Sequence, residues 1–259
     1  MDRARHRFAI VEGTQLHWAE LGERSGAPPV LLVHGLYDSH RTWKRVARLL
    51  ATDRLVLMPD LPGHGLSDRP DASYAVDWYG RILAGLLAAL GLGALDVVGH
   101  SFGGRVAQMQ LLCAPVSTRR LVLVASGALE LGGHLALRCQ EGLGREHCDE
   151  LAVMNATEGS ARAFARTLDA LASARRERRA GFPDRVVEIA AVPPIAVFWG
   201  TRDRVVPIAQ GRKLSAALAA AFVPFEGCDH YLHHEQPEAF VAAVRSFLDA
   251  PSPRLAQAS

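Results

Sequence analysis

The sequence predicts an α/β fold in which a mostly parallel central sheet carries helices on both faces. Short apolar runs alternate along the chain with segments of helical periodicity. The run over residues 30–33, Val-Leu-Leu-Val, is apolar at every position, which is typical of a strand covered on both faces. Strands that alternate with helices favour parallel pairing, because a parallel pair needs a crossover connection.

The predicted elements can be placed in order along the chain. Strands are predicted over residues 8–11, 15–21, 30–33, 54–58, 95–98, 120–125, 195–199 and 222–225. The first two flank Glu-Gly-Thr and form a hairpin-like pair at the sheet edge. Helices are predicted where apolar residues recur every three to four positions, over residues 39–50, 76–90, 102–112, 208–220 and 237–248.

One segment interrupts this alternation. Residues 130–188 have helical character, most clearly around 161–172, and no strand pattern. We therefore predict a core of residues 1–129 and 189–250, a small helical cap of residues 130–188 inserted after the sixth strand, and a loose tail over 251–259. Insertions at one end of such a sheet commonly act as lids.

Composition restricts the classes of function. The formal charge of +2 arises from 29 basic and 27 acidic residues, which gives no case for a nucleic-acid partner. The four cysteines form no Cys-x-x-Cys pair, and no signal peptide or membrane-spanning run is apparent. These features predict a soluble, cytoplasmic protein with reduced thiols and a small-molecule substrate, and they leave a homodimer open.

A candidate nucleophile lies between a predicted strand and a predicted helix. Residues 99–103 read Gly-His-Ser-Phe-Gly, and the glycines on both sides of Ser101 permit the strained backbone of a sharp strand-to-helix turn. Ser101 then stands at the start of a helix, where free N–H groups and the helix dipole favour negative charge. We therefore expect a nucleophile at Ser101 rather than an ordinary helix cap.

A serine nucleophile needs a base, and the base needs an orienting acid. In open α/β sheets, catalytic groups gather at the carboxyl ends of the strands. Asp203 follows the predicted strand 195–199, and His230 follows the predicted strand 222–225. We predict that Ser101, Asp203 and His230 form a catalytic triad.

These residues and several motifs resemble the α/β-hydrolase family, specifically its small capped serine esterases and C–C bond hydrolases. The chain order Ser, Asp, His is the order of that family. The matching motifs are His-Gly at 34–35, Asp-Leu-Pro-Gly-His-Gly-Leu-Ser at 60–67, Gly-His-Ser-Phe-Gly-Gly at 99–104, Trp-Gly-Thr-Arg-Asp at 199–203 and the stretch from His230 to 237. The resemblance covers about residues 8–248, whereas segment 130–188 matches no motif.

The resemblance implies further site residues. It assigns the oxyanion hole to the backbone N–H groups of Leu36 and Phe102, and it implies no cofactor and no metal. Glu130 is a second candidate for the triad acid, because some members of the family place their acid after the preceding strand. Asp229 departs from the pattern, since the residue before the catalytic histidine is often small in this family.

Arg105, His34 and His100 are candidate substrate-binding residues. Arg105 follows Ser101 by one helical turn; it is either structural or binds a substrate carboxylate, as in the menaquinone-pathway lyase of this family, which has a similar Gly-Gly-Arg stretch. His34 is also explained by holding loops near the oxyanion hole, and His100 is a neighbour of the nucleophile without a required role.

The resulting prediction is a serine hydrolase that cleaves a carboxylic ester, or a related acyl bond, of a small and mainly apolar substrate. A first alternative is a C–C bond hydrolase or lyase that uses the same triad on a carboxylate-bearing metabolite. A second alternative is a small-molecule receptor, because a fold by itself does not determine a function.

Overall fold

The computed structural model of the chain describes residues 4–126, 145–176 and 181–251. The alternative acid Glu130, the first part of the predicted cap and most of the predicted tail lie outside these ranges. None of the helices in the described ranges combines the length and the hydropathy of a transmembrane span.

The centre of the fold is an eight-stranded sheet with the strand order β1-β2-β4-β3-β5-β6-β7-β8. Strand β2 pairs antiparallel with β1 on one side and with β4 on the other. All the other pairs of neighbouring strands are parallel. The predicted α/β fold with a mostly parallel sheet is therefore confirmed. The strands are β1 (Arg5–Val11), β2 (Thr14–Leu21), β3 (Val30–Val33), β4 (Val56–Pro59), β5 (Leu95–His100), β6 (Thr118–Val124), β7 (Ile195–Gly200) and β8 (Ala221–Phe225).

Helices connect the parallel strands and cover the sheet. In the described ranges they are α1 (Lys44–Leu50), α2 (Val76–Leu90), α3 (Phe102–Cys113), α4 (Arg145–Asn155), α5 (Ser160–Arg176), α6 (Phe182–Arg185), α7 (Ile208–Ala217), α8 (Leu232–Glu235) and α9 (Pro237–Leu248). Short 3-10 turns at His40–Trp43, Pro115–Ser117 and Val186–Glu188 complete the elements. Helices α4 to α6 lie between β6 and β7, in the segment predicted as a cap.

Some predicted boundaries were wrong for local reasons. The predicted helix 39–50 is a 3-10 turn followed by α1. The predicted strand 54–58 begins only at Val56, where pairing with Val30 starts, and Arg54 precedes it with a buried side chain in ion pairs with Asp53 and Asp249. The predicted helix 208–220 ends at Ala217, since Ala219 has a positive φ of 48°.

The turn between β5 and α3 is packed so closely that it excludes side chains. A Cβ atom on Gly103 would collide with the main-chain oxygen of His34, and one on Gly104 would collide with the Ser126 hydroxyl. The Ser126 hydroxyl in turn donates to the Gly99 carbonyl oxygen at 3.1 Å. The start of α3 is therefore fixed against both β3 and the end of β6.

We expect the change Gly104→Ala to lower the free energy of unfolding by about 1–3 kcal/mol, because overpacking forces the surrounding backbone to shift. Urea denaturation of the two proteins measures the effect. Gly181→Ala is the matched control, since the nearest atom to an added Cβ there is 3.5 Å away and Gly181 has an ordinary φ of −75°. Equal stability of the two variants would contradict the packing argument.

Candidate active site

Ser101 lies at the carboxyl end of β5 in a backbone conformation that side chains rarely adopt. Its φ is 51° and its ψ is −117°, and its N–H donates to the Val124 carbonyl oxygen at 2.7 Å. Non-glycine residues in such regions cost about 1–3 kcal/mol and persist only where the surroundings hold them. The tight turn predicted from the glycines is present, and its strain places the Ser101 side chain beyond the end of the strand.

Three side chains that are distant in sequence form one hydrogen-bonded chain. The Ser101 hydroxyl and His230 Nε2 are 3.0 Å apart, and His230 Nδ1 lies 2.9 Å from Asp203 Oδ2. All three side chains are buried or nearly so. In the arrangement that satisfies every atom, Ser101 donates to Nε2, and the Nδ1 hydrogen is donated to Asp203. Such a chain can move a proton from the hydroxyl to the imidazole.

The acid is held by its own loop. Oδ1 of Asp203 accepts hydrogen bonds from the backbone N–H groups of Val205 at 2.9 Å and Val206 at 2.7 Å. Its other oxygen is thereby directed to His230. Trp199 fixes the same loop, because its indole N–H donates to the Val206 carbonyl oxygen at 2.9 Å.

The two candidate oxyanion donors belong to segments that are close to Ser101. Phe102 is the first residue of α3, where backbone N–H groups have no partner within the helix. Leu36 follows Gly35, whose Cβ position would be 3.5 Å from Ser101 Cβ, so this loop passes next to the serine. A developing negative charge on a substrate carbonyl at Ser101 would therefore lie near both peptides.

His34 controls the direction of the peptide that follows it. Its Nδ1 donates to the Gly35 carbonyl oxygen at 2.7 Å, and its Nε2 accepts from the Leu61 N–H at 3.0 Å. Because a peptide unit is planar and trans, fixing the Gly35 carbonyl turns the Leu36 N–H to the opposite side. With both nitrogens occupied and the side chain fully buried, His34 has no free polar atom for a substrate. This placement favours the other role expected of His34, which is to hold the loops near the oxyanion hole.

His100 is also enclosed inside the protein, and one of its two ring nitrogens is hydrogen-bonded. It is fully buried, and its Nε2 donates to the main-chain carbonyl oxygen of His230 at 3.0 Å. The imidazole therefore holds the backbone of the candidate base. The ring is enclosed by His230, Tyr231 and His233, and its Nδ1 has no hydrogen-bond partner among the described residues. That His100 also contacts substrate stays a prediction.

Arg105 is half-buried on the first turn of α3. Burial lowers the pKa of its guanidinium, and no acidic side chain within residues 4–126, 145–176 and 181–251 pairs with it. An arginine in this situation has hydrogen-bonding capacity to offer to an anion. The structure thus leaves Arg105 as a substrate-binding candidate.

Comparison with known proteins decides the family. A model described as the alpha/beta hydrolase family matches residues 30–243. The chain belongs to the alpha/beta hydrolase family. This confirms the resemblance seen in the sequence, and the matched region contains all three members of the Ser101–His230–Asp203 chain.

The proteins that this chain resembles are named for different enzymes. The chain is 31% identical over 278 residues to a 2-hydroxy-6-oxononadienedioate/2-hydroxy-6-oxononatrienedioate hydrolase of Pseudomonas putida, with 93% of this chain and 96% of the relative covered. Among solved structures it resembles an enol-lactonase from Burkholderia xenovorans LB400, with a TM-score of 0.77 and 24% identity, covering 94% of this chain and 100% of that one. It also resembles a serine hydrolase involved in carbazole degradation, with a TM-score of 0.82 and 22% identity, covering 95% and 99%. These two structural matches support the fold alone.

The hydrolase has a direct link between its inserted helices and the loop that carries Leu36. Nε2 of His147, on α4, lies 3.0 Å from Oδ1 of the buried Asp38, and Nδ2 of Asn155 donates to the Tyr37 carbonyl oxygen at 3.1 Å. The rings of Tyr37 and Phe164 are in edge contact at 5.0 Å. The inserted segment thus rests on the loop beside the nucleophile.

The Asp38–His147 pair is electrostatically coupled. Burial opposes ionisation of Asp38, but the hydrogen bond and the charge of His147 outweigh it and lower the pKa of Asp38 to about 2. Burial likewise opposes the charged form of His147, yet the hydrogen bond to Asp38 prevails and raises the pKa of His147. Glu150, 3.8 Å from His147 Nδ1, adds to that rise, whereas Arg41 opposes it.

One group of potential metal ligands occurs in the described part of the hydrolase: His17, His40 and Asp60, all buried. The Asp60 carboxylate lies 2.8–3.0 Å from Nδ1 of both imidazoles and also accepts from the N–H groups of His40 and Leu66. Hydrogen bonds therefore explain the geometry without an ion. The cluster holds the loop after β4.

Sequence reasoning missed two of these interactions. It gave no role to Asp38 or His147, and it took His100 as a substrate-binding candidate and not as a support for the main chain of His230. Asp38 and His147 are 109 positions apart, and His100 and His230 are 130 apart. No periodic or motif signal links residues at such separations.

We expect His147→Gln to destabilise the hydrolase in a pH-dependent way. The Asp38–His147 pair contributes most to the free energy of unfolding at pH values above the pKa of aspartate and below the pKa of histidine in the unfolded chain. This contribution is lost as the pH rises through the raised pKa of His147. The difference from the wild type in free energy of unfolding should therefore reach up to about 2 kcal/mol near pH ~5.5 and shrink toward pH ~8.5.

Urea denaturation at several pH values measures this difference. Glu146→Gln is the control on the same helix, since the Glu146 side chain is 83% exposed. A loss of stability with His147→Gln that is equal at every pH would rule out the ionic contribution.

Proposed function

We propose that this chain is a serine hydrolase that cleaves a carboxylic ester or a related acyl bond through an acyl-enzyme intermediate. The observation that carries the proposal is the hydrogen-bonded chain from Ser101 through His230 to Asp203, with distances of 3.0 and 2.9 Å. A serine hydroxyl is a weak nucleophile at neutral pH, and this arrangement supplies the base and the orienting acid that it requires.

The proposed reaction begins when the Ser101 oxygen attacks the substrate carbonyl carbon while His230 Nε2 accepts the hydroxyl proton. The carbonyl oxygen becomes an oxyanion, which the N–H groups of Leu36 and Phe102 stabilise; each such donor is worth about 3–4 kcal/mol. Protonated His230 gives its proton to the leaving alcohol. Water activated by the same imidazole then releases the acid and regenerates Ser101.

Asp203 keeps the Nδ1 hydrogen of His230 in place and stabilises the imidazolium as it forms. His34 and His100 act as positioning residues, the first through the Gly35 carbonyl and the second through the His230 carbonyl. A mainly apolar acyl group is supported by Tyr37 and Phe164, whose rings meet where the inserted helices approach the Leu36 loop.

A second candidate is hydrolysis or lysis of a C–C bond in a carboxylate-bearing substrate by the same three residues. Two observations favour it: Arg105 lacks an acidic partner in the described residues, and a relative with 31% identity is named for a dienedioate substrate. Both candidates place a carbonyl carbon at Ser101. They differ in the bond that breaks and in whether an anion must be bound nearby.

We expect Ser101→Ala to abolish covalent labelling by a fluorophosphonate and the hydrolysis of p-nitrophenyl esters, because both need the hydroxyl. Asp203→Asn should lower kcat by about 10³- to 10⁴-fold, since it leaves His230 in the wrong tautomer. Labelling followed by mass measurement, together with an ester series of increasing acyl length, tests both variants. Ser73→Ala, at an exposed position, is the control. Undiminished labelling of Ser101→Ala would refute the nucleophile.

Arg105→Met distinguishes the two candidates. If Arg105 binds a carboxylate, kcat/KM for a substrate that bears one should fall by about 10- to 100-fold, the equivalent of one charged hydrogen bond, while a neutral ester of the same length is unaffected. Steady-state kinetics on the matched pair of substrates provides the measurement, and Arg81→Met, exposed on α2, is the control. Equal losses on both substrates would assign Arg105 to structure.

A further inference from the structure

The acid and the base stand on separate loops, whose relative position decides whether they meet. Asp203 follows β7 and His230 follows β8, and the two loops are joined by backbone contacts. The Thr201 N–H donates to the Phe225 carbonyl oxygen at 3.0 Å, and the Arg202 N–H donates to the Cys228 carbonyl oxygen at 2.9 Å. These bonds join the bases of the loops but leave their tips, at residues 203–204 and 229–230, to be fixed by other means.

Gly200 permits the close approach of the two loops. A Cβ atom at this position would collide with the main-chain oxygens of Asp229 and Cys228. The start of the acid loop therefore runs directly against the backbone of residues 228 and 229. A small shift of either loop would therefore change the geometry of the Asp203–His230 hydrogen bond.

The side chain of Asp229 bridges the tips. Its Oδ1 accepts hydrogen bonds from the Arg204 N–H at 2.9 Å and from the His230 N–H at 2.8 Å. One oxygen atom thus binds both the residue after the acid and the base itself. Its Oδ2 accepts from the Arg204 guanidinium at 2.5 Å. The backbone N–H of Asp229 is held in turn by the Glu235 carboxylate at 3.0 Å.

The Asp229 carboxylate that joins the two loop tips is charged and only slightly exposed to solvent. The Asp229 side chain is 14% exposed, whereas that of Arg204 is 59% exposed. Burial would raise the pKa of Asp229, but the hydrogen bonds from the backbone and side chain of Arg204 and from the His230 N–H outweigh it and lower that pKa. The carboxylate is therefore ionised at neutral pH, and hydrogen bonds to a charged acceptor are the stronger kind.

We propose that Asp229 is a positioning residue that fixes the Asp203–His230 hydrogen bond by linking the two loop tips through its Oδ1. The inference rests on the proposed function in taking Ser101 and His230 as the reacting groups, and it adds a residue to the site. A small residue at position 229 would remove the shared acceptor of the Arg204 and His230 N–H groups.

The chain offers matched variants for a test. In Asp229→Asn, the amide Oδ1 can still accept from both N–H groups, while the NH₂ group no longer accepts from the Arg204 guanidinium. Asp229→Ala removes both connections. Asp229→Ser has a hydroxyl too short to span the loops and serves as the second variant if the alanine protein does not fold. Arg202→Met, exposed on the acid loop, is the control with unchanged rate.

The measurement is the rate of fluorophosphonate labelling at Ser101, which needs an activated hydroxyl but no ester turnover. Asp229→Ala or Asp229→Ser should label about 10- to 100-fold more slowly, because a small displacement of a catalytic group can cost this much. Asp229→Asn should label within about threefold of the wild-type rate, because one shared acceptor suffices to hold both N–H groups. In an Asp203→Asn background, Asp229→Ala should cost little more, because residues that act through one contact are not additive.

Three results would overturn the proposal. Asp229→Ala labels at the wild-type rate, Asp229→Asn loses as much as Asp229→Ala, or the losses of Asp229→Ala and Asp203→Asn multiply fully in the double variant. The last result would mean that Asp229 acts on general stability and not through the acid. Failure of the proposed function has a different signature, namely equal labelling of Ser101→Ala and wild type.

Discussion

The strained peptide turn at Ser101 is the constraint on which the site depends. A φ of 51° with a ψ of −117° is unfavourable for serine, so the conformation must be imposed by its neighbours. Gly103 lies against the main chain of His34 and Gly104 against Ser126, where a side chain at either position would collide. The packing that stabilises the strain also fixes the first N–H groups of α3. One set of contacts therefore positions both Ser101, the candidate nucleophile, and a candidate oxyanion donor.

Around this turn, buried histidines hold the peptide of Leu36 and the main chain of His230. His34 orients the peptide that carries the Leu36 N–H, and His100 holds the main chain of His230. Both rings are fully buried, and burial lowers the pKa of each. A neutral imidazole offers one donor and one acceptor in fixed directions, which suits it to holding peptide groups. The same type of side chain thus serves as the proposed base at one position and as a fixed support at two others.

The inserted helices are coupled to this arrangement through the loop after β3. Asp38 accepts from His147 two residues beyond Leu36, and Phe164 covers Tyr37. The contacts with the inserted helices and the position of a candidate oxyanion donor therefore depend on the same loop. The two proposed reactions, ester cleavage and C–C bond cleavage, use the same Ser101–His230–Asp203 chain. The choice between them depends on what surrounds the carbonyl group, for which Arg105 is the first charge to consider.

The sequence alone was sufficient for the parallel sheet, the strand-to-helix turn and the order of Ser101, Asp203 and His230, because periodicity, glycine placement and motif spacing are local properties. Only the tertiary structure placed His34 and His100 inside the protein, joined His147 to Asp38 and turned the Asp229 carboxylate toward Arg204 and the His230 N–H. These contacts join loops from different strands, and each depends on strand register and loop conformation together. The direction of a side chain within a loop has no period in the sequence, so the partners become visible only when the chain is folded.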